Sequence, residues 1–327
     1  MSKYSNICFY GGGAWGQALS ITLASLGHKS KLIVSDQTRA NEINSGISRR
    51  FSQIKLSPLI TSSVNAKEVI KESNLVFITT ESKRVMSVIE QINLLNNKEI
   101  NIVITSKGFA NKHGETFNEI IKNQFPTLTT GILTGPTFAD EIANNLPAAA
   151  ILASNDINFA NSICNLFKNS CLRLYQSNDP LGASIAGAVK NIIAIGAGII
   201  EGLNLGDNAK AALITRGISE TSRLIKSSGG NYETAFGLAG IGDMSLTCSG
   251  PHSRNMAYGM HLITRTNKNK TLDLVEGVNA VEATLMLAKK FNIELPIVNA
   301  INEILNKEGN IKEIIHKLLS RPIKNEF

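Results

Sequence analysis

The sequence has little of what builds a metal site or a disulfide framework. Its four cysteines are Cys8, Cys164, Cys171 and Cys248, none of them in a CxxC pair, and its five histidines form no HExxH or similar cluster. Such spacings are typical of zinc sites and of disulfide-rich secreted domains. We therefore expect reduced thiols, a cytoplasmic protein and no bound metal.

Dense basic runs are also lacking, and we expect no secretory leader. The net charge is +7, yet Lys and Arg are scattered and no aromatic residues interleave with a basic run. This argues against nucleic-acid binding, whereas a modest positive charge suits a small phosphorylated ligand. The N-terminal segment MSKYSNICFY meets a glycine loop at Gly11, which leaves no room for a cleavable apolar leader.

The composition is that of a soluble globular protein large enough for two domains. Of 327 residues, 43% are hydrophobic and 18% are charged, unlike a disordered chain. A chain of this length exceeds one ordinary core. Strand signals stop after Tyr175 and helical patterns follow. The turn-forming residues Asn178-Asp179-Pro180 mark the boundary between the two. We predict domains at residues 1–178 and 179–327.

The most informative local motif is a glycine loop between a short apolar run and a helical pattern. Asn6–Tyr10 reads NICFY, and GGGAWG and ALSITLASLG follow it. Gly11, Gly13 and Gly16 match G-x-G-x-x-G, whose glycines allow a tight turn, a close approach to pyrophosphate and close helix–strand packing. The helix N-terminus adds N–H groups for the anion. The order of strand, loop and helix predicts dinucleotide binding.

Strand-like runs alternate with helical segments through the first half of the chain. They cover residues 31–34, 74–80, 101–106, 131–134, 148–153 and 171–175. Residues 41–73 are polar and predict loop or helix, and the second half carries helical patterns. Alternation of this kind is typical of a doubly wound sheet. We predict an α/β protein, with an N-terminal Rossmann-like doubly wound, mainly parallel sheet followed by an all-α C-terminal domain.

Polar residues follow several of these strands, at the end where doubly wound sheets bind ligands. Asp36 follows the second strand, where a carboxylate either binds the ribose 2′-OH of NAD or caps a helix. No arginine stands immediately beside it, although Arg39 is near. Lys107 and Gly135-Pro136-Thr137 follow two later strands. Lys107 is placed for a cofactor or a substrate, or is a solvated loop lysine.

Leu181–Ile200 is a mostly apolar stretch with a single charge, Lys190, at its centre. Its length of about 20 residues suits a transmembrane helix, but a central lysine would cost about 2.5–3.5 kcal/mol there. Two other interpretations are a core helix whose lysine reaches the surface and a catalytic lysine whose pKa is lowered by desolvation. Asn191 follows Lys190 and could add an uncharged hydrogen bond.

Two further motifs lie in the second half. Gly237, Gly240 and Gly242 precede Asp243, which predicts tightly packed backbone and either an N-cap or a functional carboxylate at Asp243. The run SRN, residues 253–255, places an arginine beside an asparagine, which suits a phosphate clamp.

Together these motifs resemble the bacterial NAD(P)-dependent glycerol-3-phosphate dehydrogenases over nearly the whole chain. The matching pieces are GGGAWG (11–16), SKG (106–108), GPTFADE (135–141), AGAVKNIIAIGAG (186–198), NAKAALITRG (208–217), GLAGIGDMSLTC (237–248), SRN (253–255) and VEG (275–277). The resemblance implies interconversion of sn-glycerol 3-phosphate and dihydroxyacetone phosphate with NAD(P)H, an activity that feeds phospholipid synthesis. No metal is needed for this chemistry.

The resemblance also implies roles for individual residues. Lys190 would be the general base, Lys107 would touch substrate and cofactor, and Asp243 would be a carboxylate near the base. The implied substrate contacts are Lys107, Gly135, Thr137, Lys190, Asn191, Asp243, Ser253, Arg254 and Asn255. With the glycine loop included, the cofactor contacts are Gly11, Gly13, Ala14, Trp15, Gly16, Ser35, Lys107, Ala139, Arg254, Leu274 and Glu276.

The chain departs from this family at the end of the second strand. Many members carry an arginine there, whereas this sequence reads Val34-Ser35-Asp36-Gln37. The choice between NADP and NAD stays open, and Asp36 favours NAD. The sequence also leaves the oligomeric state open, with a homodimer as one option. Two other functions stay open: a two-domain dehydrogenase of a different hydroxy acid, and a nucleotide-binding sensor without catalysis.

Overall fold

The structure is a computed structural model that describes residues 4–95, 100–250, 253–264, 275–306 and 310–322. The chain divides into two compact units. The first comprises the residues up to Ala110 together with Thr116–Ser184, and the second comprises Asn111–Glu115 together with the residues from Ile185 onward. The domain bounds of 1–178 and 179–327 stay a prediction.

The first unit is built on a mixed, mostly parallel sheet of eight described strands. They are β1 Ile7–Tyr10, β2 Ser30–Ile33, β3 Ile60–Ser63, β4 Leu75–Ile78, β5 Asn101–Ile104, β6 Thr129–Thr134, β7 Ala148–Ala153 and β8 Leu172–Ser177. The order across the sheet is β3-β2-β1-β4-β5-β6-β7-β8, and only the β6–β7 pairing is antiparallel. The predicted doubly wound, mainly parallel sheet is confirmed.

Helices cover both faces of this sheet. They are α1 Ala14–Ser25, α2 Gln37–Asn44, α3 Ala66–Glu72, α4 Ser82–Leu94, α5 Phe117–Gln124, α6 Ala139–Ala143 and α7 Ile157–Leu166. Successive strand residues point to opposite faces, so Phe9 joins one buried cluster and Cys8 the other. Phe9 stacks on Phe77 of β4 with 4.9 Å between ring centroids. Cores on both faces explain why the central strands read as unbroken apolar runs.

The prediction for residues 41–73 missed one strand. β3, with the sequence ITSS, pairs in parallel with β2 and forms the edge of the sheet. Only Ile60 and Ser62 of this strand are buried. A short, polar edge strand carries almost no apolar alternation, so its pairing with β2 rather than its own sequence makes it a strand.

From Ile185 onward, every described secondary-structure element of the second unit is a helix or a helical turn, which confirms the predicted all-α region. The helices are α8 Pro180–Gly202, whose first turn belongs to the first unit, α9 Asp207–Ser227, α10 Asp243–Cys248, α11 Arg254–Thr264, α12 Glu276–Lys290, α13 Pro296–Leu305 and α14 Ile311–Leu319. A 3-10 turn at Tyr232–Phe236 and a π-helical turn at Leu238–Gly242 precede α10.

The apolar helix α8 is a core helix. By length and composition it could cross a membrane, but 94% of its apolar window is buried in the protein. Its small residues serve close packing, because a Cβ at Gly198 would overlap the carbonyl of Met256, and one at Gly259 would overlap the carbonyl of Ile195. The backbones of α8 and α11 are therefore in contact.

Candidate active site

The glycine loop between β1 and α1 is held in a conformation that requires glycine at two positions. Gly11 has a φ of +121°, and a Cβ there would lie 2.9 Å from the carbonyl oxygen of Thr79. A Cβ at Gly16 would overlap the carbonyl oxygen of Gly11. The amides of Gly11 and Gly12 donate to the carbonyl of Ile33 at 3.2 and 3.1 Å. These bonds tie the loop to the end of β2.

Gly13 differs from these glycines because the space where its Cβ would lie is open, with no atom within 4 Å. It is the N-cap residue of α1 and supplies no side-chain hydrogen bond to that helix. An uncapped helix N-terminus behind an open glycine suits a pyrophosphate, which can approach the backbone closely. Ala14 and Trp15 form the first turn and pack partly buried against the core. The loop therefore fits a dinucleotide.

At the end of β2, Ser35 and Asp36 are both exposed. Asp36 is the N-cap of α2, where its Oδ1 accepts a hydrogen bond from the amide of Arg39 at 2.8 Å. The helix-cap interpretation of Asp36 therefore holds. The guanidinium of Arg39 donates to the carbonyl oxygen of Gly12 in the glycine loop. Arg39, which the sequence shows only to be near Asp36, is thus hydrogen-bonded to the glycine loop.

A second polar group of the first unit follows β5 and β6. Lys107 is half-buried, and its Nζ donates to the carbonyl oxygen of Gly135 at 3.2 Å. The hydroxyl of Thr137 donates to the same oxygen at 3.3 Å. Gly135 has a φ of +152°, and a Cβ there would lie 2.8 Å from the Cα of Ala150. The structure thus brings together three predicted substrate contacts, and Ala139 begins α6 just beyond them.

In the second unit, Lys190 is a buried ammonium held by two side chains of α10. Its Nζ donates to Asp243 Oδ1 at 2.8 Å and to the hydroxyl of Thr247 at 2.9 Å. The side chains of Lys190 and Asp243 are only 7% and 2% exposed. The interpretation of Lys190 as a lysine that reaches the surface is therefore wrong.

Asp243 is brought to Lys190 by the tight turn before α10. A Cβ at Gly240 would overlap the carbonyl of Ala235, which explains the glycine-rich sequence there. Asp243 is the first residue of α10 and makes no side-chain cap bond, so the N-cap interpretation is wrong. Thr247 lies one turn further, where its hydroxyl donates to the carbonyl of Asp243 at 2.6 Å. The sequence prediction missed Thr247, although its spacing of four from Asp243 puts both on one helix face.

A chain of amide hydrogen bonds begins at the neighbouring residue, Asn191. Its Nδ2 donates to Glu276 Oε2 at 3.2 Å, and its Oδ1 accepts from Asn255 Nδ2 at 2.9 Å. Asn255 Oδ1 accepts from the amide of Gly277 at 2.9 Å. Three predicted site residues, Asn191, Asn255 and Glu276, are thereby joined across α8, α11 and α12, next to the base candidate.

The remaining predicted residues lie at the start of α11 or outside the described part. Ser253 is buried, and its hydroxyl accepts from the amide of Met256 at 3.3 Å. Arg254 is the first residue of α11 and is exposed. Leu274 lies outside the described residues.

The described residues offer neither a metal-binding cluster nor a disulfide. Among the described residues, no group of three or more His, Cys, Asp and Glu side chains is placed to hold a metal. All four cysteines lie in the described part and are free thiols. Burial raises the pKa of the Cys8 thiol to about 12, so this cysteine stays protonated and unreactive.

Comparison with known proteins identifies the family. The family model described as NAD-dependent glycerol-3-phosphate dehydrogenase N-terminus matches residues 6–160, and the one described as the C-terminus of that enzyme matches residues 179–316. The glycerol-3-phosphate dehydrogenase (NAD(P)+) of Exiguobacterium sp. is 37% identical over 334 residues, covering 99% of this chain and 97% of the relative. That of Francisella tularensis is 36% identical and covers 98% of this chain and 99% of the relative.

Solved structures agree with this assignment. The crystal structure of glycerol-3-phosphate dehydrogenase from Coxiella burnetii superimposes with a TM-score of 0.88 at 31% identity, covering 96% of this chain and 98% of that chain. The yeast glycerol-3-phosphate dehydrogenase gives a TM-score of 0.82 at 18% identity, covering 96% of this chain and 99% of that chain. The likeness to the yeast protein shows that the fold is shared.

Proposed function

The chain belongs to the NAD-dependent glycerol-3-phosphate dehydrogenase family, and on this premise we propose the chemical role of each part of its site. It is an oxidoreductase that interconverts sn-glycerol 3-phosphate and dihydroxyacetone phosphate with NAD(P)(H). The observation that carries our residue assignment is the buried pair of Lys190 and Asp243, 2.8 Å apart. We assign the proton transfer of the reaction to Lys190.

The reaction needs a hydride and a proton, and different residues handle each. When bound, the nicotinamide cofactor supplies or accepts the hydride. The backbone of Gly11, Gly13 and Gly16 would hold its pyrophosphate, because Gly13 leaves room for the anion and Gly11 and Gly16 allow the tight turn. The further cofactor contacts that we propose are Ala14, Trp15, Ser35, Lys107, Ala139, Arg254, Leu274 and Glu276.

Lys190 moves the proton at the carbonyl oxygen of the substrate. In the reducing direction its ammonium donates a proton to the ketone oxygen as that oxygen gains negative charge. In the oxidising direction the neutral amine takes the proton of the secondary hydroxyl. Asp243 stabilises the ammonium form through the 2.8 Å contact, and the hydroxyl of Thr247 orients Nζ. Burial keeps water away from the group, which strengthens both effects.

We propose two groups of substrate contacts, each described within its own unit. Arg254 beside Asn255 offers a guanidinium and an amide to the phosphate, and two oxygens of a phosphate can accept parallel N–H bonds from one guanidinium. Ser253 and Asn191 add a hydroxyl and an amide. Lys107, Gly135 and Thr137 form the other group, already linked through the Gly135 carbonyl.

The first experiment mixes purified protein with dihydroxyacetone phosphate and follows NADPH and NADH absorbance in parallel. We expect oxidation of the cofactor only when the substrate is present. A panel of 2-keto acids under the same conditions is the control for substrate identity. Oxidation with a keto acid but not with dihydroxyacetone phosphate would replace the proposed substrate, and no oxidation with retained cofactor binding would indicate a nucleotide sensor.

We also propose the cellular setting of the enzyme. A cytoplasmic enzyme that supplies glycerol 3-phosphate for phospholipid synthesis is supported by the family relationship and by the burial of α8 inside the protein. A homodimer stays a prediction, which sedimentation velocity on the purified chain tests. Labelling of lipid glycerol in cells that lack the enzyme tests the metabolic role.

A further inference from the structure

Arg39 occupies a position at the glycine loop that the catalytic assignment does not use. Its guanidinium donates to the carbonyl oxygen of Gly12, and its own amide is bonded to the Asp36 carboxylate at 2.8 Å. Gly12 is in turn bonded to Ile33, the last residue of β2. In dinucleotide-binding folds the end of β2 is where the adenosine ribose lies. Arg39 is therefore held beside the place of the ribose 2′ position.

We propose that Arg39 recognises the 2′-phosphate of NADP(H), so that this chain prefers NADP(H) although it lacks the arginine that many relatives carry directly after β2. The proposal rests on the cofactor site proposed above. A guanidinium carries five N–H donors, and the bond to Gly12 uses one of them. That bond positions the planar group without exhausting its capacity to bind a phosphate bidentately.

Asp36 is the residue that argues for NAD, because a carboxylate at this place can accept a bond from the ribose 2′-OH. In this chain its Oδ1 is the N-cap acceptor of α2. The carboxylate thus caps α2 and stabilises its first turn, which contains Arg39. Asp36 consequently helps to position Arg39 at the end of β2, where we expect the adenosine ribose.

The charges around Arg39 favour an added anion. Partial burial lowers the pKa of Arg39, and repulsion by Arg50 and Arg49 lowers it further, while Asp36 and Glu42 raise it. Arg49 is paired with Glu42 at 2.5 Å, and Arg50 is exposed. A cation that is partly desolvated and repelled by like charges gains stability when a phosphate dianion binds beside it. Arg50 would reinforce this attraction.

The decisive measurement is calorimetric titration of the full chain with adenosine 2′,5′-bisphosphate and with adenosine 5′-monophosphate, which differ only in the 2′-phosphate. We expect the bisphosphate to bind about 10–100-fold more tightly, the equivalent of a hydrogen bond to a charged group. Arg39→Gln should remove this advantage and raise the KM for NADPH by a similar factor, while the KM for NADH changes less than about twofold. Arg49→Gln, which removes a neighbouring arginine already paired with Glu42, is the matched control and should keep the advantage.

Two results would overturn the proposal. Equal binding of the two ligands by the unaltered chain is one, and it needs no variant that must fold. An equal loss of NADPH and NADH binding in Arg39→Gln is the other, because it would mean that Arg39 only supports the glycine loop. Failure of the proposed reaction looks different: 2′,5′-bisphosphate would bind tightly while neither cofactor is oxidised by dihydroxyacetone phosphate.

Discussion

The glycine loop of the first unit and the Lys190 cluster of the second are two kinds of site. The loop is made of backbone within residues 11–16, and its shape follows from glycine at Gly11 and Gly16. The cluster is made of side chains, and Lys190 is 53 positions from Asp243 and 57 from Thr247 in the sequence. The first can be recognised from a short motif, whereas the second exists only once α8 and α10 are packed.

The two sites also differ in what their stability depends on. A tight glycine loop has no space for a side chain, so an added methyl group is the change that most destabilises it. A buried ion pair depends on both partners, because removing one leaves an unpaired charge at low dielectric. Substitutions should therefore fail for different reasons in the two units, and that difference can be measured.

The largest effect is expected at Lys190. Lys190→Met removes the proton donor, so turnover should fall by about 10²–10⁴-fold. It also leaves Asp243 buried without its ion-pair partner, which costs about 3–5 kcal/mol of stability. Steady-state rates and urea unfolding measure the two consequences.

A double variant separates catalysis from stability at this pair. Lys190→Met with Asp243→Asn removes both charges and should regain part of the lost stability without regaining turnover. Lys31→Met, which breaks the exposed pair with Glu72, is the control and should keep both properties. Near-normal turnover in either Lys190 variant would contradict the assignment of the proton transfer.

The next effect compares two glycines of one loop. Gly16→Ala places a methyl group against the carbonyl of Gly11, and should lower the free energy of unfolding by about 1–3 kcal/mol. Gly13 has a φ of −67° and open space around the missing Cβ, so Gly13→Ala should fold with normal stability. Its methyl group would occupy the approach of the pyrophosphate, so we expect weaker NADPH binding. Thermal unfolding measures the stability of both variants, and a fluorescence titration measures their affinity for NADPH. Normal NADPH affinity in Gly13→Ala would mean that the pyrophosphate does not bind at Gly13.

A third prediction concerns Glu220, a buried charge of the second unit that is not part of the proposed site. Its carboxylate on α9 accepts from the amides of Ile297 and Val298 at 2.7 and 3.3 Å, at the start of α13. Burial raises the pKa of Glu220 from 4.5 to about 7, against the opposing effect of these bonds and of Arg223. A carboxyl with a raised native pKa stabilises the fold below the unfolded pKa and loses that contribution as pH rises.

The free energy of unfolding should therefore fall between pH 4.5 and 7, with each unit of difference between the two pKa values worth about 1.4 kcal/mol. Glu220→Gln should lack this part of the pH dependence, since an amide does not titrate. Urea unfolding below and above the window measures the difference between variant and wild type. Glu282→Gln, at an exposed position of α12, is the control, and an equal slope in all three proteins would rule out the effect of Glu220.

The smallest effect is expected at Thr247. Thr247→Val keeps the shape of the side chain and removes the hydroxyl that accepts from Lys190 at 2.9 Å. One hydrogen bond is worth about 1 kcal/mol, so kcat should fall about tenfold or less while the KM for NADPH is unchanged. Thr221→Val, at a buried threonine that bonds within α9, should leave kcat unchanged. A loss of NADPH affinity instead would place Thr247 in the cofactor site.

Much of the first unit was predictable because its signals are local. The glycine loop, the apolar strands and their mainly parallel order follow from motif and periodicity, and the structure confirms them. β3 was missed since its sequence, ITSS, is polar and only its pairing with β2 makes it a strand. Asn111–Glu115 groups with the second unit, where Gly114 lies against Ala283 and Leu287 of α12, a long-range contact that no local pattern signals.

The sequence by itself determined where glycine is required, most of the strands and helices, and that a lone lysine lies in an apolar helix. These properties depend on neighbours a few residues apart, through sterics and periodicity. Only the tertiary structure decided that Lys190 is buried with Asp243 and Thr247 and that Arg39 is attached to the glycine loop. Each of these facts needs contact between elements, which burial of apolar surface brings about and which no short motif encodes.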